Sequence, residues 1–306
     1  MSKGILGKIT DLYDKKYKLL LIIPAIMLLF SLYVLGNHYI QTGEFVTMGV
    51  SLKGGTTLSV AEAFDVKEIE NMLKTEFPNA DVSVRSLSRA GVEVGTMIEV
   101  SDMTSQELLD AVEKITGKLD KEKYTMDTTG SSLGAAFFKQ AIFALIAAFV
   151  LISLVVYVYF RAALPSFYAV FSVVADMIFA MAICVVFDIR LTTAGIAAFL
   201  MLIGYSIDTD ILLTTRVLKR KEGTVSERMA ATVKTGITMT FAAFSSIIVG
   251  LLISESELLK QILFILGWGL FADVVFTWLF NAALLRMYVD SKERAKEKAA
   301  ENANGI

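Results

Sequence analysis

Six apolar stretches, at roughly 19–36, 135–160, 163–187, 191–213, 235–253 and 258–285, are each long enough to cross a bilayer, and one polar segment of about a hundred residues parts the first from the rest. A helix rises about 1.5 Å per residue, so ~20 apolar residues traverse a hydrocarbon core about 30 Å thick. Inside lipid every backbone N–H and C=O must find its partner within the protein, which restricts such stretches to helices packed as a bundle. Composition points the same way: 55% hydrophobic against 20% charged residues is too apolar for a soluble globule of this length. Cys184 and His38 each stand alone of their type, which excludes a disulfide framework and a Cys-based zinc site and argues against a Ser-His triad. The first stretch exceeds a signal-peptide h-region and no small-residue cleavage site follows before His38 and Tyr39, so it reads as a retained helix.

The basic residues set the expected orientation. Placing the amino terminus, the 2/3 and 4/5 loops and the tail on one side gathers Lys3, Lys8, Lys15, Lys16, Lys18, Arg161, Arg216, Lys219, Arg220, Lys221, Arg228, Lys234, Arg286, Lys292, Arg294, Lys296 and Lys298 there. The two short loops opposite hold only Arg190 and Lys260. Positive residues stay cytoplasmic in short loops, so both termini are expected in the cytoplasm. The organisation that follows is a cytoplasmic amino terminus at 1–18, a first transmembrane helix at 19–36, an exported domain at 37–134, five transmembrane helices over 135–285 and a basic cytoplasmic tail at 286–306. The exported segment carries 16 Asp and Glu against 9 Lys and Arg, which is no obstacle because large translocated domains escape the charge rule.

Within that segment, 56–61 and 80–87 are β-rich, 65–77 places Val66, Ile69, Met72, Leu73 and Phe77 at helical spacing, and Val92 to Val100 reads as a strand. Ser105 to Thr116 is an amphipathic helix with Leu108, Leu109, Val112 and Ile115 inward, and Lys123 to Met126 reads as a final short strand. The order βαββαβ predicts an α/β domain of ferredoxin-like type. It holds no pairing of nucleophile and base and no Gly-rich loop opening a helix, which is the composition of a binding or spacer module. The chain reads as no enzyme, and nothing in it calls for a cofactor, a metal or nucleic acid.

Ionisable residues inside the spans are the candidates for function, because a carboxylate at mid-membrane costs about 2.5 to 3.5 kcal/mol on insertion scales. Asp176 lies in the third span, Asp208 and Asp210 in the fourth, Asp273 in the sixth. At 100° per residue, Asp208 and Asp210 differ by about 200° and cannot share a face. Asp208 is in line with Gly204 and Leu212, Asp210 with Ser206 and Thr214. Lys234, opening the fifth span on the same side, is the nearest countercharge in the sequence. Two readings stand: a buried ion pair that fixes packing, or a carboxylate that moves protons or ions. Asp176 and Asp273 read as helix-to-helix hydrogen-bonding groups, and Ala242, Ser246 and Gly250 form a small-residue face that lets another helix approach.

GVSLKGGTTL at 49–58 resembles the G-[VI]-D-F-x-G-G-T motif of the SecD/SecF family of protein-export membrane proteins, matching at Gly49, Val50, Gly54, Gly55 and Thr56. IGYSIDTDILLTTRVLKRKEG at 203–223 resembles that family's fourth-span signature, with Gly204, Tyr205 and Ser206, an acidic pair, and Arg216 eight positions after Asp208. The layout of one helix, one large exported domain and five helices resembles the archaeal SecF branch over the whole chain, within the wider group related to resistance-nodulation-division transporters. The sequence departs from the family at Ser51, where the first motif has Asp, at Thr209, where bacterial members have Asp, and at Lys234, where they have Arg. The resemblance implies a subunit of the Sec translocase in the cell membrane that works with SecD, the translocon channel, a translocating preprotein and membrane lipid, drawing on the proton gradient. Asp208, Asp210 and Lys234 are then the proton-relay candidates, with Asp176, Asp273, Ser206 and Arg216 as secondary polar candidates. A non-conducting scaffold that completes the SecD bundle, or half of a resistance-nodulation-division type transporter, is the alternative. An intramembrane aspartyl protease is disfavoured, because the pairing of a YD with a GxGD inside spans is absent.

Overall fold

The computed structural model describes residues 16–304 except 79, 90, 91, 102, 221 and 255, so Lys3, Lys8, Lys15 and Lys221 of the charge count lie outside the described residues. Six helices among these are long and apolar enough to cross a membrane. They contain α1 (Ile22–Thr42), α5 (Ser131–Phe160), α6 (Ala163–Val186), α7 (Thr193–Leu218), α8 (Val225–Ile253) and α9 (Glu257–Val275). A π-helical segment, Phe276–Asn281, continues α9 into α10 (Ala282–Asn304). Local signals fix their ends. Thr192 caps α7 through the N–H of Gly195, and a capping box of Thr224 and Glu227 opens α8, each satisfying N–H groups that have no partner within the helix. Arg161 turns left-handed at φ 52° and closes α5, so α6 returns antiparallel beside it.

α6 and α7 lie deepest in the bundle, while α5 and α8 stay mostly uncovered. Ala169, Val173, Ala180, Ala198, Phe199, Leu202, Ile265 and Leu270 form the central apolar contact between α6, α7 and α9. Gly269 has no room for a side chain because the methyl carbons of Leu202 occupy that space.

Between α1 and α5 come α2 (Val50–Lys53), β1 (Gly55–Val60), α3 (Val66–Glu76), β2 (Val82–Arg89), β3 (Val92–Val100), α4 (Ser105–Thr116) and β4 (Tyr124–Thr129). The strands form one antiparallel sheet in the order β2-β3-β1-β4. Strand side chains alternate between faces. Leu58, Val60, Val82, Val84, Ile98 and Val100 therefore meet Ile69 and Leu73 of α3 and Leu108 and Val112 of α4 in a closed core. The opposite face carries Ser83, Glu99, Thr57 and Asp127 in one row across the four strands. Asp65 caps α3 and a box of Thr104 and Glu107 caps α4.

The sheet is strapped to one end of the bundle. Thr47 and Gly49 pair with Leu191 through two backbone hydrogen bonds of 2.8 and 2.9 Å, and Thr193 N–H donates to Ser51 Oγ at 3.2 Å. The two lone cations noted above are both latches: Arg190 forks onto Asp81 at 2.8 and 3.1 Å, and Lys260 donates to the Ser88 carbonyl at 2.6 Å. Asp81 is 39% exposed, so solvent screening holds the Arg190 pair to about 1 kcal/mol.

Candidate functional site

Three of the four intramembrane aspartates meet. Asp176 from α6, Asp210 from α7 and Asp273 from α9 are all fully buried at the centre of the bundle. Their positions follow from helical spacing. Leu202, Ser206, Asp210, Leu213 and Val217 form the buried stripe of α7, with Thr209 beside it. Ser172 and Asp176 lie four residues apart on α6, both buried.

The sixth long helix adds two residues that the sequence did not single out, Thr277 and Asn281. On a regular α-helix Asn281 would be rotated by about 80° from Asp273. The π-helical turn is wider, takes fewer degrees per residue and brings Asp273, Thr277 and Asn281 to one side. A polar series at i, i+4 and i+8 from Asp273 was the available signal; the π segment itself has none.

The hydrogen bonds join into one network. Ser206 Oγ donates to Asp176 Oδ2, and Thr209 Oγ1 contacts Asp273 Oδ1 at 2.8 Å. Asn281 Nδ2 donates to Asp210 Oδ1 at 2.7 Å. Thr277 Oγ1 lies 3.0 Å from Asp210 Oδ1 and 2.9 Å from Asp273 Oδ1. A threonine hydroxyl owns a single hydrogen. It donates to one carboxyl, and the second contact is completed only when the other carboxyl carries a proton and donates back. Asp176 Oδ1, Asp210 Oδ2 and Asp273 Oδ2 accept nothing from the described residues. None of the three carboxylates is within ion-pair distance of a described Lys or Arg. Among the described residues no group of His, Cys, Asp and Glu is arranged to hold a metal ion. Burying unpaired charges is expensive. The cluster is therefore suited to hold protons and to pass one across Thr277.

The remaining sequence candidates fall elsewhere. Asp208 is exposed, on the outer face of α7 with Gly204 and Tyr205, and a Cβ on Gly204 would meet nothing within 4 Å. Lys234 is exposed too, and it makes no ion pair with Asp208 or Asp210. The countercharge expected from sequence is corrected on this point: Thr232, Gly236 and Thr240 are inward residues of α8, and Lys234 stands about 200° from Thr232 and Gly236. Arg216 ties α7 to α8 through the Ala231 carbonyl and Thr235 Oγ1, both at 3.0 Å. Ala242 and Ser246 are exposed, whereas Gly250 is closed off by Leu263 of its own chain. Gly49, Gly54, Gly55 and Thr56 lie at the junction between sheet and bundle, far along the chain from the aspartates; Thr56 donates to the Met103 carbonyl at 2.8 Å.

Residues 109–291 match the family model described as protein export membrane protein SecD/SecF, C-terminal. The protein-export membrane protein SecF of Pyrococcus furiosus is 34% identical over 289 residues, covering 94% of this chain and 96% of that protein. The chain belongs to the SecF family. Its counterpart in Methanocaldococcus jannaschii is also 34% identical, over 92% of this chain and 99% of that one. Among solved structures, SecDF of Thermus thermophilus, described as a translocon-associated membrane protein, superposes with a TM-score of 0.73 at 17% identity. That match covers 90% of this chain and 38% of the longer SecDF chain, and it shows a shared fold. Six apolar helices and SecF-family membership make this a multi-pass membrane protein.

Proposed function

We propose that this SecF-family chain is an accessory subunit of the Sec translocase that acts with SecD to promote protein export, and that it couples proton binding at Asp210 and Asp273 to helix movement. The observation that carries this reading is the hydroxyl of Thr277 shared between two buried carboxyl groups with no cation beside them. A protonated cluster is neutral and tolerates an apolar bundle, whereas an ionised one demands water or a countercharge. Alternation between the two states would move α9 and its π turn against α7. Because the sheet is latched to the ends of α7 and α9 through Arg190, Ser51 and Lys260, that motion would reach the sheet.

Six spans with both termini in the cytoplasm and 37–134 exported is the orientation supported by the cation distribution, in the plasma membrane. The strand order β2-β3-β1-β4 with both helices on one face supports a ferredoxin-like reading of the exported domain. Labelling intact cells with a membrane-impermeant thiol reagent should modify Lys118→Cys and leave Arg220→Cys untouched; the reverse pattern defeats the orientation. The open faces of α7 and α8, with Gly204, Asp208, Ala242 and Ser246, are the proposed contact for SecD. The translocon channel and the preprotein are the further partners, lipid surrounds the remaining apolar faces, and no enzymatic step is assigned.

Thr277 provides the test. Thr277→Val keeps the shape and removes the hydroxyl, and it should lower proton-dependent export in SecD-containing vesicles at least tenfold. Thr277→Ser restores the bridge and should restore export. A scaffold with no proton role predicts instead that the Val variant exports normally.

A further inference from the structure

A cleft of ≈ 710 Å³ separates the uncovered face of the sheet from the ends of α6, α7, α8 and α9. Its sheet wall carries Glu99 and Asp127, its bundle wall Asp188, and Phe187, Leu258 and Phe264 supply apolar surface. Glu99 sits on β3 in the middle of the sheet, only 7% exposed. Its side chain has no hydrogen bond and no ion pair among the described residues. Its row neighbours Ser83 and Thr57 are too short to reach a cation, and Met97 lies next along its strand face. Burial raises the Glu99 pKa, with Arg85 and Arg190 pulling it back only in part.

Two of the three cations lining the cleft are paired with an acid, and the third, Arg85, reaches a main-chain carbonyl. Arg190 is forked onto Asp81, Lys260 is held by Glu257 and the Ser88 carbonyl, and Arg85 donates to the Asp188 carbonyl. The carboxylates of Glu99, Asp127 and Asp188 have no partner among the described residues. The cleft is thus acidic in its spare bonding capacity although its lining is mixed in charge.

We infer that this cleft binds an extended polypeptide segment that presents a basic side chain, seated with its cationic head against Glu99. An ammonium or guanidinium group would give the buried carboxylate the charge-assisted hydrogen bonds it lacks. Its aliphatic stem would lie along Met97 and the aromatic rims. The hydroxyls of Thr57, Ser59 and Thr129 offer donors and acceptors to the flanking backbone. A zwitterionic lipid headgroup fits less well, because its phosphate would face Glu99, Asp127 and Asp188 with Arg85 as the one lining cation that makes no ion pair among the described residues. The identity of the occupant as a polypeptide rests on the protein-export reading above; the acidic site does not.

The test is calorimetric titration of the full chain, purified in an uncharged maltoside detergent, with a peptide of about ten alternating Thr and Val residues and one central Lys. The Lys peptide should bind, and its acetyl-lysine form should bind at least tenfold more weakly. Glu99→Gln should lose the same tenfold while its thermal midpoint stays level or rises, since a buried carboxylate is replaced by a neutral amide of the same shape. Equal binding of the acetylated peptide, undiminished binding by Glu99→Gln, or no heat with the Lys peptide overturns the proposal. Displacement by phosphoethanolamine at matching concentration overturns it in favour of a lipid headgroup. None of these outcomes depends on proton-driven export, so failure here leaves the Thr277 experiment to judge that reading separately.

Discussion

Asp210→Asn is expected to reduce proton-dependent export to background, while Asp208→Asn two residues away retains at least about half. Asparagine keeps the volume of aspartate and can still accept from Asn281 Nδ2. It has no ionisable group and so ends proton exchange at that position. Stability should change little, by about 1 kcal/mol, because the hydrogen-bonded contacts survive, and the variant should still insert and co-purify with SecD. Asp208 faces outward and touches none of the network, so neutralising it leaves the relay intact. Asp273→Asn should resemble Asp210→Asn, and the double variant should be no worse than either alone, because the proposed path runs through both residues. Export assayed in reconstituted vesicles with and without an imposed proton gradient checks all four. Loss in Asp208→Asn with activity preserved in Asp210→Asn would move the relay to the outer face of α7.

Gly54→Ala should be the most damaging single substitution outside the bundle core, costing on the order of 3 kcal/mol or more. Gly54 has φ 93°, a conformation that residues with a Cβ rarely adopt, and an added Cβ would lie 2.3 Å from Ser131 Cα and 2.6 Å from Ser131 N. Those atoms belong to the first turn of α5 and cannot rotate away. They would have to withdraw, opening the junction where α2, β1 and α5 meet. Gly134, one turn into α5, is also crowded, since a Cβ there would lie 2.8 Å from the Leu52 carbonyl oxygen, so the contact is backbone against backbone from both sides. Gly117→Ala is the control: φ is 86° but nothing lies within 4 Å, so only the conformational cost of about 1 kcal/mol applies. Thermal unfolding in detergent, with limited trypsin digestion of the sheet segment, separates the two. A Gly54→Ala protein as stable as Gly117→Ala would show that the junction yields.

The long apolar helices and the presence of a small α/β segment were legible in the sequence because each is decided by residues close together along the chain. Apolar runs of spanning length must be helical in lipid, Thr224 with Glu227 marks a helix start three residues apart, and Ile69, Leu73, Leu108 and Val112 disclose buried stripes by their spacing. Helical geometry also separated Asp208 from Asp210. It did not say which of the two faces inward. That was settled by the rotation of α7, which turns Leu202, Ser206, Asp210 and Leu213 toward α6 and α9 as one stripe. Lys234 was matched to the aspartates by depth along the helix, and the rotation of α8 turned it to the outside, because Thr232 and Gly236 pack inward and Trp278 fills the space a side chain at Gly236 would need. The meeting of Asp176, Asp210 and Asp273 required three helices to converge. The place of Thr277 between two carboxyl groups required a π-helical turn in the sixth long helix. Neither has a local signature, since a side chain's partner across a bundle is chosen by how the helices pack rather than by the residues beside it.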